Sequence, residues 1–251
     1  MLTPERHQII IDLIKEKDVV RIHEFVEATG ASESTIRRDL SELEEKNQLR
    51  RVHGGAALFQ NKLEEPTFLE KSVKHEKEKL AIARYAAGLV KDKDSIYLDA
   101  GTTTFHMIEH LIGKNIVVVT NGVNIAVELK KHDIKTIVLG GELKAATLAV
   151  VGRSTISTIS QYRFDKCFLG INGIDREHGL TTPDPDEAYI KQLALQLSDQ
   201  RYILCDSHKF SKVTFAKVSD LDDLHIITDE HLDPAEQQEY QKITDLKVVK
   251  I

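Results

Sequence analysis

The sequence has few of the residues that mark secreted, disulfide-bonded or membrane proteins. Of its 251 residues only two are cysteine and none is tryptophan. No apolar run approaches the roughly 18 residues of a membrane span. Cys167 and Cys205 lie far apart, each in an apolar stretch, which indicates buried thiols in a reducing compartment rather than a disulfide framework. The first residues also lack a basic-then-apolar signal pattern, so we expect a cytoplasmic protein with no membrane partner.

The overall charge does not point to nucleic acid. The chain has 34 Lys and Arg against 40 Asp and Glu, a formal net charge of −6, and residues 1–57 hold 9 basic against 11 acidic residues. A basic stripe can still face phosphates while acids occupy the opposite face of a domain. The directions of Arg37, Arg38, Arg50 and Arg51 therefore decide whether DNA can bind.

Three short helices and a turn are predicted at the N-terminus. A helix start at Thr3 is followed by apolar residues at helical spacing. A second helix is predicted over Val20–Thr29, and Ser32 is placed to cap a third that runs to about Lys46. A short strand then enters a Gly54-Gly55 turn. This order of elements is the winged helix-turn-helix plan.

Beyond residue 75 the sequence alternates between strand and helix patterns. Several strand segments are apolar nearly throughout, as expected for parallel strands covered on both faces. The expected strands are Ser95–Asp99, Ile116–Thr120, Thr136–Leu139, Lys166–Ile171, Tyr202–Asp206, His225–Thr228 and Leu246–Val249. The expected helices include Glu76–Lys91, Phe105–Leu111, Val123–Lys130 and Asp186–Leu197. We therefore predict an α/β chain with a winged helix-turn-helix over residues 1–57, a linker over 58–75 and a doubly wound domain over 76–251.

The third helix combines an apolar stripe with a polar face. Ile36, Leu40 and Leu43 are spaced i, i+4 and i+7 and must pack on the first two helices. The opposite face exposes the helix N-terminus, hydroxyl groups and arginines. Such amides and hydroxyls bind phosphate, and arginine reads guanine in the major groove. The candidate DNA-binding residues are Ser32, Ser34, Thr35, Arg37, Arg38 and Ser41, with Arg51 and His53 on the following turn.

A solvated helix is the alternative interpretation of this face. Arg37 and Arg38 would then pair only with the neighbouring acids Glu33, Asp39 or Glu42.

The longer motif favours DNA binding. Arg6, the stretch Ser32–Leu40 and the turn Val52–Ala56 together resemble the DNA-binding signature of the DeoR family of repressors. The resemblance spans the N-terminal domain and implies double-stranded operator DNA as a partner.

The segment Ser95–Thr104 is a strand that feeds a small-residue loop and opens a helix. Exposed amides and the hydroxyls of Thr102, Thr103 and Thr104 form a suitable phosphate cradle. Asp99 would repel a phosphate, so we expect it to accept hydrogen bonds from sugar hydroxyls. An ordinary threonine-capped turn is the alternative.

Other loops carry comparable chemistry. Three follow predicted strands, at Thr120–Gly122, Leu139–Glu142 and Gly170–Asp175, and ligands of open α/β sheets bind beyond such carboxyl ends. In the next helix Asp184 is a predicted N-cap and Glu187 its capping-box partner. A surface ion pair between Glu187 and Lys191 is the simplest interpretation of their spacing. Lys209 supplies a cation that could meet a phosphate.

These segments resemble the sugar-phosphate-sensing domain of the DeoR family, over about residues 76–235. That domain is similar in fold to ribose-5-phosphate isomerase. Residues 1–8 and 182–188 look most like the fructose-operon repressors of the family, which implies fructose 1-phosphate as effector. A homo-oligomer is expected, because paired half-sites are the usual means of reading enough base pairs. The implied effector site is drawn from Asp99, Gly101, Thr102, Thr103, Thr104, Asn121, Gly141, Asn172, Glu187, Lys191 and Lys209.

Two other kinds of function compete with a regulator. A sugar-phosphate isomerase or deaminase could use Asp99, Glu187 and Lys191 as acid and base, and a structural α/β module would bind nothing. The N-terminal DNA-reading domain argues against the enzyme, and the structural module stays open.

A zinc-hydrolase pattern, H-x-x-E-H, occurs at residues 106–110. The pattern lacks a third ligand at a supporting position. We therefore expect neither a metal nor a cofactor.

Overall fold

The computed structural model describes residues 1–17, 19–46, 48–52, 54–58 and 62–251. The chain divides into two compact units, residues 1–61 and 62–251. Much of the predicted linker belongs to the second unit: the Phe215 amide donates to the Lys62 carbonyl at 3.1 Å, and the Phe68 amide to the Ala146 carbonyl at 2.7 Å. Residues 62–75 are therefore part of the larger unit and not a free connection. No helix in these ranges is long and apolar enough to cross a membrane.

The first unit consists of three helices and a small antiparallel sheet in the strand order β1-β3-β2. Its elements are α1 (Thr3–Lys17), β1 (Val19–Arg21), α2 (Ile22–Thr29), α3 (Glu33–Glu45), β2 (Leu49–Val52) and β3 (Gly55–Leu58). The predicted apolar stripe is confirmed, since Ile36, Leu40 and Leu43 are buried in the core of this unit. Strand β1 corrects the prediction of a helix from Val20, because Val19–Arg21 pair with Gly55–Ala57.

The second unit has more elements than were predicted. Its helices are α4 (Phe68–Val73), α5 (Glu76–Gly88), α6 (Thr102–His106), α7 (Val123–Lys131), α8 (Arg153–Ile159), α9 (Pro185–Gln196) and α10 (Pro234–Tyr240). Its strands are β4 (Ser95–Leu98), β5 (Val117–Thr120), β6 (Lys135–Val138), β7 (Glu142–Leu143), β8 (Val150–Val151), β9 (Phe164–Gly170), β10 (Gly173–Asp175), β11 (Gly179–Thr182), β12 (Ser198–Leu204), β13 (Ala216–Ser219), β14 (His225–Asp229) and β15 (Asp245–Val249).

Seven parallel strands form the central sheet, in the order β15-β14-β12-β9-β4-β5-β6. All seven were predicted. Side chains alternate between two buried cores, so that Tyr97 and Cys167 face α8 and α9 while Ile96 and Phe168 face α5 and α7. The doubly wound α/β prediction is thus confirmed. This arrangement brings the loops after β4, β5, β9 and β12 to one edge of the sheet.

Candidate nucleic-acid interface and ligand site

The beginning of α3 presents a cluster of hydroxyl groups. Ser32 caps the helix, its Oγ accepting from the Thr35 amide at 3.3 Å. The same oxygen lies 2.9 Å from the hydroxyls of Ser34 and of Thr35. Ser32 and Ser34 are exposed and Thr35 is half-buried. These groups can turn toward a phosphate without any change in the helix.

The two arginines of α3 differ in their surroundings. Arg37 and Glu33 form an exposed ion pair at 2.6 Å, as the solvated-helix alternative anticipates. Such a pair contributes about 0.2–1 kcal/mol and can be exchanged for a phosphate. Arg38 is exposed and has no ion-pair or hydrogen-bond partner among the residues that the structure describes. Arg38 is therefore the arginine of this face most readily offered to DNA.

Arg51 joins strand β2 to helix α3. Its Nη1 donates to the Ser41 hydroxyl at 2.9 Å, and that hydroxyl donates to the Arg37 carbonyl at 3.0 Å. The Ser41 hydroxyl is therefore already engaged within the protein, both as an acceptor and as a donor. His53, the remaining predicted residue of this interface, lies outside the described residues.

Asp39 belongs to the interior and not to the polar face. Its two carboxylate oxygens accept from Arg6 at 2.5 and 2.9 Å, and His7 lies 3.2 Å away. Burial alone would raise the pKa of Asp39, but these hydrogen bonds outweigh it and lower that pKa. Asp39 thus connects α3 to α1 and is not available to Arg37 or Arg38.

A buried ion pair stands at the carboxyl edge of the central sheet. Lys191 of α9 contacts Asp99, which follows β4, and both side chains are about 5% exposed. The Gly170 amide donates to the same Asp99 oxygen at 3.1 Å, and Lys191 donates to the Gly170 carbonyl at 3.0 Å. Burial would lower the pKa of Lys191, but the charges of Asp99 and Glu187 outweigh it and raise that pKa. The amine of Lys191 therefore stays protonated within the protein.

Glu187 is not in the predicted surface ion pair with Lys191. It is buried, accepts from the Thr147 hydroxyl at 2.7 Å, and lies 3.5 Å from the Lys144 amine. Burial raises the pKa of its carboxyl group. Asp184 caps α9 as predicted, accepting from the amides of Asp186 and Glu187 at 2.9 Å. The capping-box role predicted for Glu187 is wrong, because its side chain faces Thr147 and Lys144 instead.

The three threonines after β4 play different parts. Thr104 is fully buried, and its hydroxyl faces the carbonyls of Asp99 at 2.7 Å and Gly101 at 2.8 Å. Its proton is therefore used inside the loop, which corrects its assignment as a phosphate donor. The side chains of Thr102 and Thr103 make no hydrogen bond within the described ranges, although both are mostly buried. These two hydroxyls remain available to a ligand.

Two predicted site residues serve the protein scaffold. The Asn121 amide accepts from the Tyr97 hydroxyl at 2.8 Å and donates to the Val150 carbonyl at 3.2 Å, so both ends are engaged. Gly141 is packed so closely that a Cβ there would collide with the Val151 carbonyl. Both shape the loops and offer no side-chain group to a ligand.

Gly101 lies where the loop after β4 meets the end of β9, beside Asp99. A Cβ on this residue would lie 3.6 Å from the Gly170 Cα, which is an ordinary van der Waals contact, and 3.2 Å from the Thr104 hydroxyl, which is a tight one. The glycine therefore gives room to Thr104 and does not set the distance between the two loops.

Asn172 contacts Glu65, a residue that was not among the predicted site residues. Its amide donates to Glu65 Oε1 at 3.1 Å, and its carbonyl oxygen accepts from the Thr182 hydroxyl at 2.9 Å. Glu65 also pairs with Lys71 at 2.6 Å. Glu65 was missed because it lies in the polar stretch interpreted as linker.

Lys209 is accompanied by a second lysine that was not predicted. Lys79 is buried and donates to the Lys71 carbonyl. Burial lowers the pKa of Lys79 to about 8, although the nearby charge of Asp206 opposes the shift and Lys209 adds to it. Asp206 is buried too, and its pKa is lowered by Lys209 despite the burial. Lys79 was not predicted because it ends a run of mostly charged residues, 74–79, in which no single lysine stands out.

One group of side chains has the spacing of metal ligands among the residues described. Ligand atoms of His75, Asp206 and His208 lie within 4.8 Å of one another. Lys79 and Lys209 act on the same Asp206 charge and oppose a cation there. The H-x-x-E-H pattern does not form one helical face, because α6 ends at His106 and a 3₁₀ turn covers Ile108–His110.

Comparison with known proteins covers both units. A model of the DeoR-like helix-turn-helix domain matches residues 6–62, and a model of the DeoR C-terminal sensor domain matches residues 74–230. Among solved structures, ribose 5-phosphate isomerase A from Methanocaldococcus jannaschii is 18% identical with a TM-score of 0.42, over 55% of this chain and 56% of that one.

Whole-length relatives are regulators. The uncharacterized HTH-type transcriptional regulator FruR of Bacillus subtilis is 50% identical over 100% of both chains. The lactose phosphotransferase system repressor of Staphylococcus epidermidis is 34% identical, over 96% of this chain and 98% of its own. The glycerol-3-phosphate regulon repressor of Escherichia coli is also 34% identical, over 92% and 98%. The chain is therefore a member of the DeoR family of transcription regulators and not an enzyme.

Proposed function

We propose that this regulator represses a sugar-utilisation operon and leaves its operator when a phosphorylated sugar binds the larger unit. The observation that carries the proposal is the buried Asp99–Lys191 pair at the carboxyl edge of the sheet. Burying two charges is costly, and such groups cluster at functional sites. Relatives named as repressors of a lactose phosphotransferase system and of a glycerol-3-phosphate regulon support both repression and a phosphorylated ligand.

The candidate site residues fall into hydrogen-bond donors and hydrogen-bond acceptors. We assign the phosphate to the hydroxyls of Thr102 and Thr103 with the amines of Lys209 and Lys79, because these groups are donors. We assign the sugar hydroxyls to the groups that can accept hydrogen bonds: Asp99, Glu187 and Asn172.

Fructose 1-phosphate is the proposed effector, supported by similarity to FruR along the whole chain. A thermal-shift panel tests this, with fructose 1-phosphate, fructose 6-phosphate, ribose 5-phosphate, glycerol 3-phosphate and unphosphorylated fructose. A ligand at 100 times its Kd stabilises the native state by about 2.7 kcal/mol, which is several degrees in Tm. Fructose 1-phosphate should give the largest shift and fructose none. A panel without any shift would remove the phosphosugar from the proposal.

We propose further that the protein works as an even-numbered homo-oligomer assembled through the larger unit. One winged helix reads few base pairs, and two half-sites require two copies. Sedimentation of the full chain at micromolar concentration should show a dimer or tetramer. A monomer would contradict this part of the proposal.

Effector binding should weaken as the pH rises above 8. Lys79 has a pKa of about 8 in the free protein, with Asp206, Lys209, Lys71 and Glu78 as its charged neighbours. A bound phosphate would raise that pKa, so binding takes up a proton in the pH range above about 8. The affinity is therefore fully present below pH 8 and falls by up to about tenfold per pH unit above it.

Calorimetry from pH 7 to 9.5 measures this dependence. Lys79→Met should abolish it, while Lys77→Met, an exposed change on the same helix, should leave it intact. Equal wild-type affinity at pH 7 and 9.5 would exclude Lys79 from the phosphate site.

A further inference from the structure

The carboxylate of Glu65 is satisfied at one oxygen only. Its Oε1 accepts from Lys71 at 2.6 Å and from Asn172 at 3.1 Å. Its Oε2 is buried and has no hydrogen-bond partner among the described residues. A buried charged acceptor without a donor is unfavourable, so the arrangement is incomplete unless another molecule supplies the donor.

Glu65 adjoins the proposed ligand site around Asp99 and Lys191. Asn172 connects it to Thr182, three residues before α9, which carries Glu187 and Lys191. The charge of Glu65 acts on both Glu187 and Lys191, raising the pKa of each. Its unpartnered oxygen therefore belongs to the same polar cluster as the Asp99–Lys191 pair.

The chemistry of Glu65 selects the part of the ligand that it can meet. A carboxylate repels a phosphate and accepts from a hydroxyl. We propose that Glu65 Oε2 accepts a hydrogen bond from a hydroxyl group of the bound sugar phosphate. This inference rests on the proposed function and adds a residue from outside the predicted site.

Two matched variants test the contact. Glu65→Gln keeps the shape of the side chain and one acceptor oxygen, but it replaces the other oxygen by an NH2 group. The control, Glu64→Gln, makes the same change at an exposed neighbour. Calorimetry measures binding of the phosphosugar that the wild type binds most tightly in the thermal-shift panel. Inorganic phosphate is the comparison probe, because it carries no sugar hydroxyl group. Glu65→Gln should weaken phosphosugar binding about tenfold and leave the affinity for inorganic phosphate within about twofold. Glu64→Gln should match the wild type throughout.

The outcomes separate this inference from the proposed function. Wild-type binding with unchanged affinity in Glu65→Gln overturns the contact and leaves the proposed function standing. An equal loss of affinity for phosphosugar and for inorganic phosphate makes Glu65 structural and also overturns the contact. A wild type that binds no member of the panel overturns the proposed function, and the inference with it.

Discussion

Replacing Thr102 and Thr103 together with valine should leave operator binding at full strength and abolish its release by phosphosugar. Both side chains are mostly buried at the start of α6, and their hydroxyls make no hydrogen bond within the part of the chain described. Valine nearly keeps the shape of threonine and removes the donor. We expect the free energy of unfolding to change little and phosphosugar affinity to fall at least about a hundredfold, since two hydrogen bonds to a charged group are lost.

Thr104→Val is the matched control on the same loop. Its hydroxyl faces two carbonyls of the protein, those of Asp99 and Gly101. Its loss should lower the free energy of unfolding by about 1–3 kcal/mol. Denaturant titration and calorimetry together separate the two effects. A double variant that releases operator at the wild-type phosphosugar concentration would show that the phosphate binds elsewhere.

Arg38→Ala should weaken operator binding by about 1–3 kcal/mol, or roughly five- to 150-fold, if Arg38 contacts a base. Arg37→Ala should cost less, because Arg37 must first leave Glu33. Arg51→Ala should weaken binding to all sequences alike and reduce the salt slope by about 1, which marks a phosphate contact.

Fluorescence anisotropy with DNA selected by the wild type from a random pool, and with a scrambled duplex, measures all three variants. Full operator affinity in Arg38→Ala would remove Arg38 from the interface. Loss on both duplexes equally would make it a phosphate contact instead.

The fold could be predicted wherever a signal was long. All seven strands of the central sheet were found, and several of them contain a nearly continuous apolar run. The antiparallel sheet of β10, β11 and β13 was missed, because strands of three or four residues are too short to show alternation. Strand β1 was taken for helix for the same reason: only pairing with Gly55–Ala57, which is distant in the chain, makes it a strand.

The contacts within the candidate site could not be predicted from the sequence. Asp99 and Lys191 are 92 positions apart, so their pairing depends on the fold and on no local pattern. The spacing of Glu187 and Lys191 suggested a surface pair, yet burial gives each a different partner. Glu65 was overlooked because polar, acidic composition before Pro66 resembles a linker until tertiary contacts are known.

Operator affinity measured with and without saturating fructose 1-phosphate tests the central claim most directly. We expect the Kd for selected DNA to rise at least about tenfold when the sugar phosphate is present. By linkage, the operator must then weaken phosphosugar binding by the same factor. Unphosphorylated fructose should change neither value. An operator Kd that stays the same under saturating phosphosugar would contradict the proposal that a phosphosugar releases this regulator from DNA.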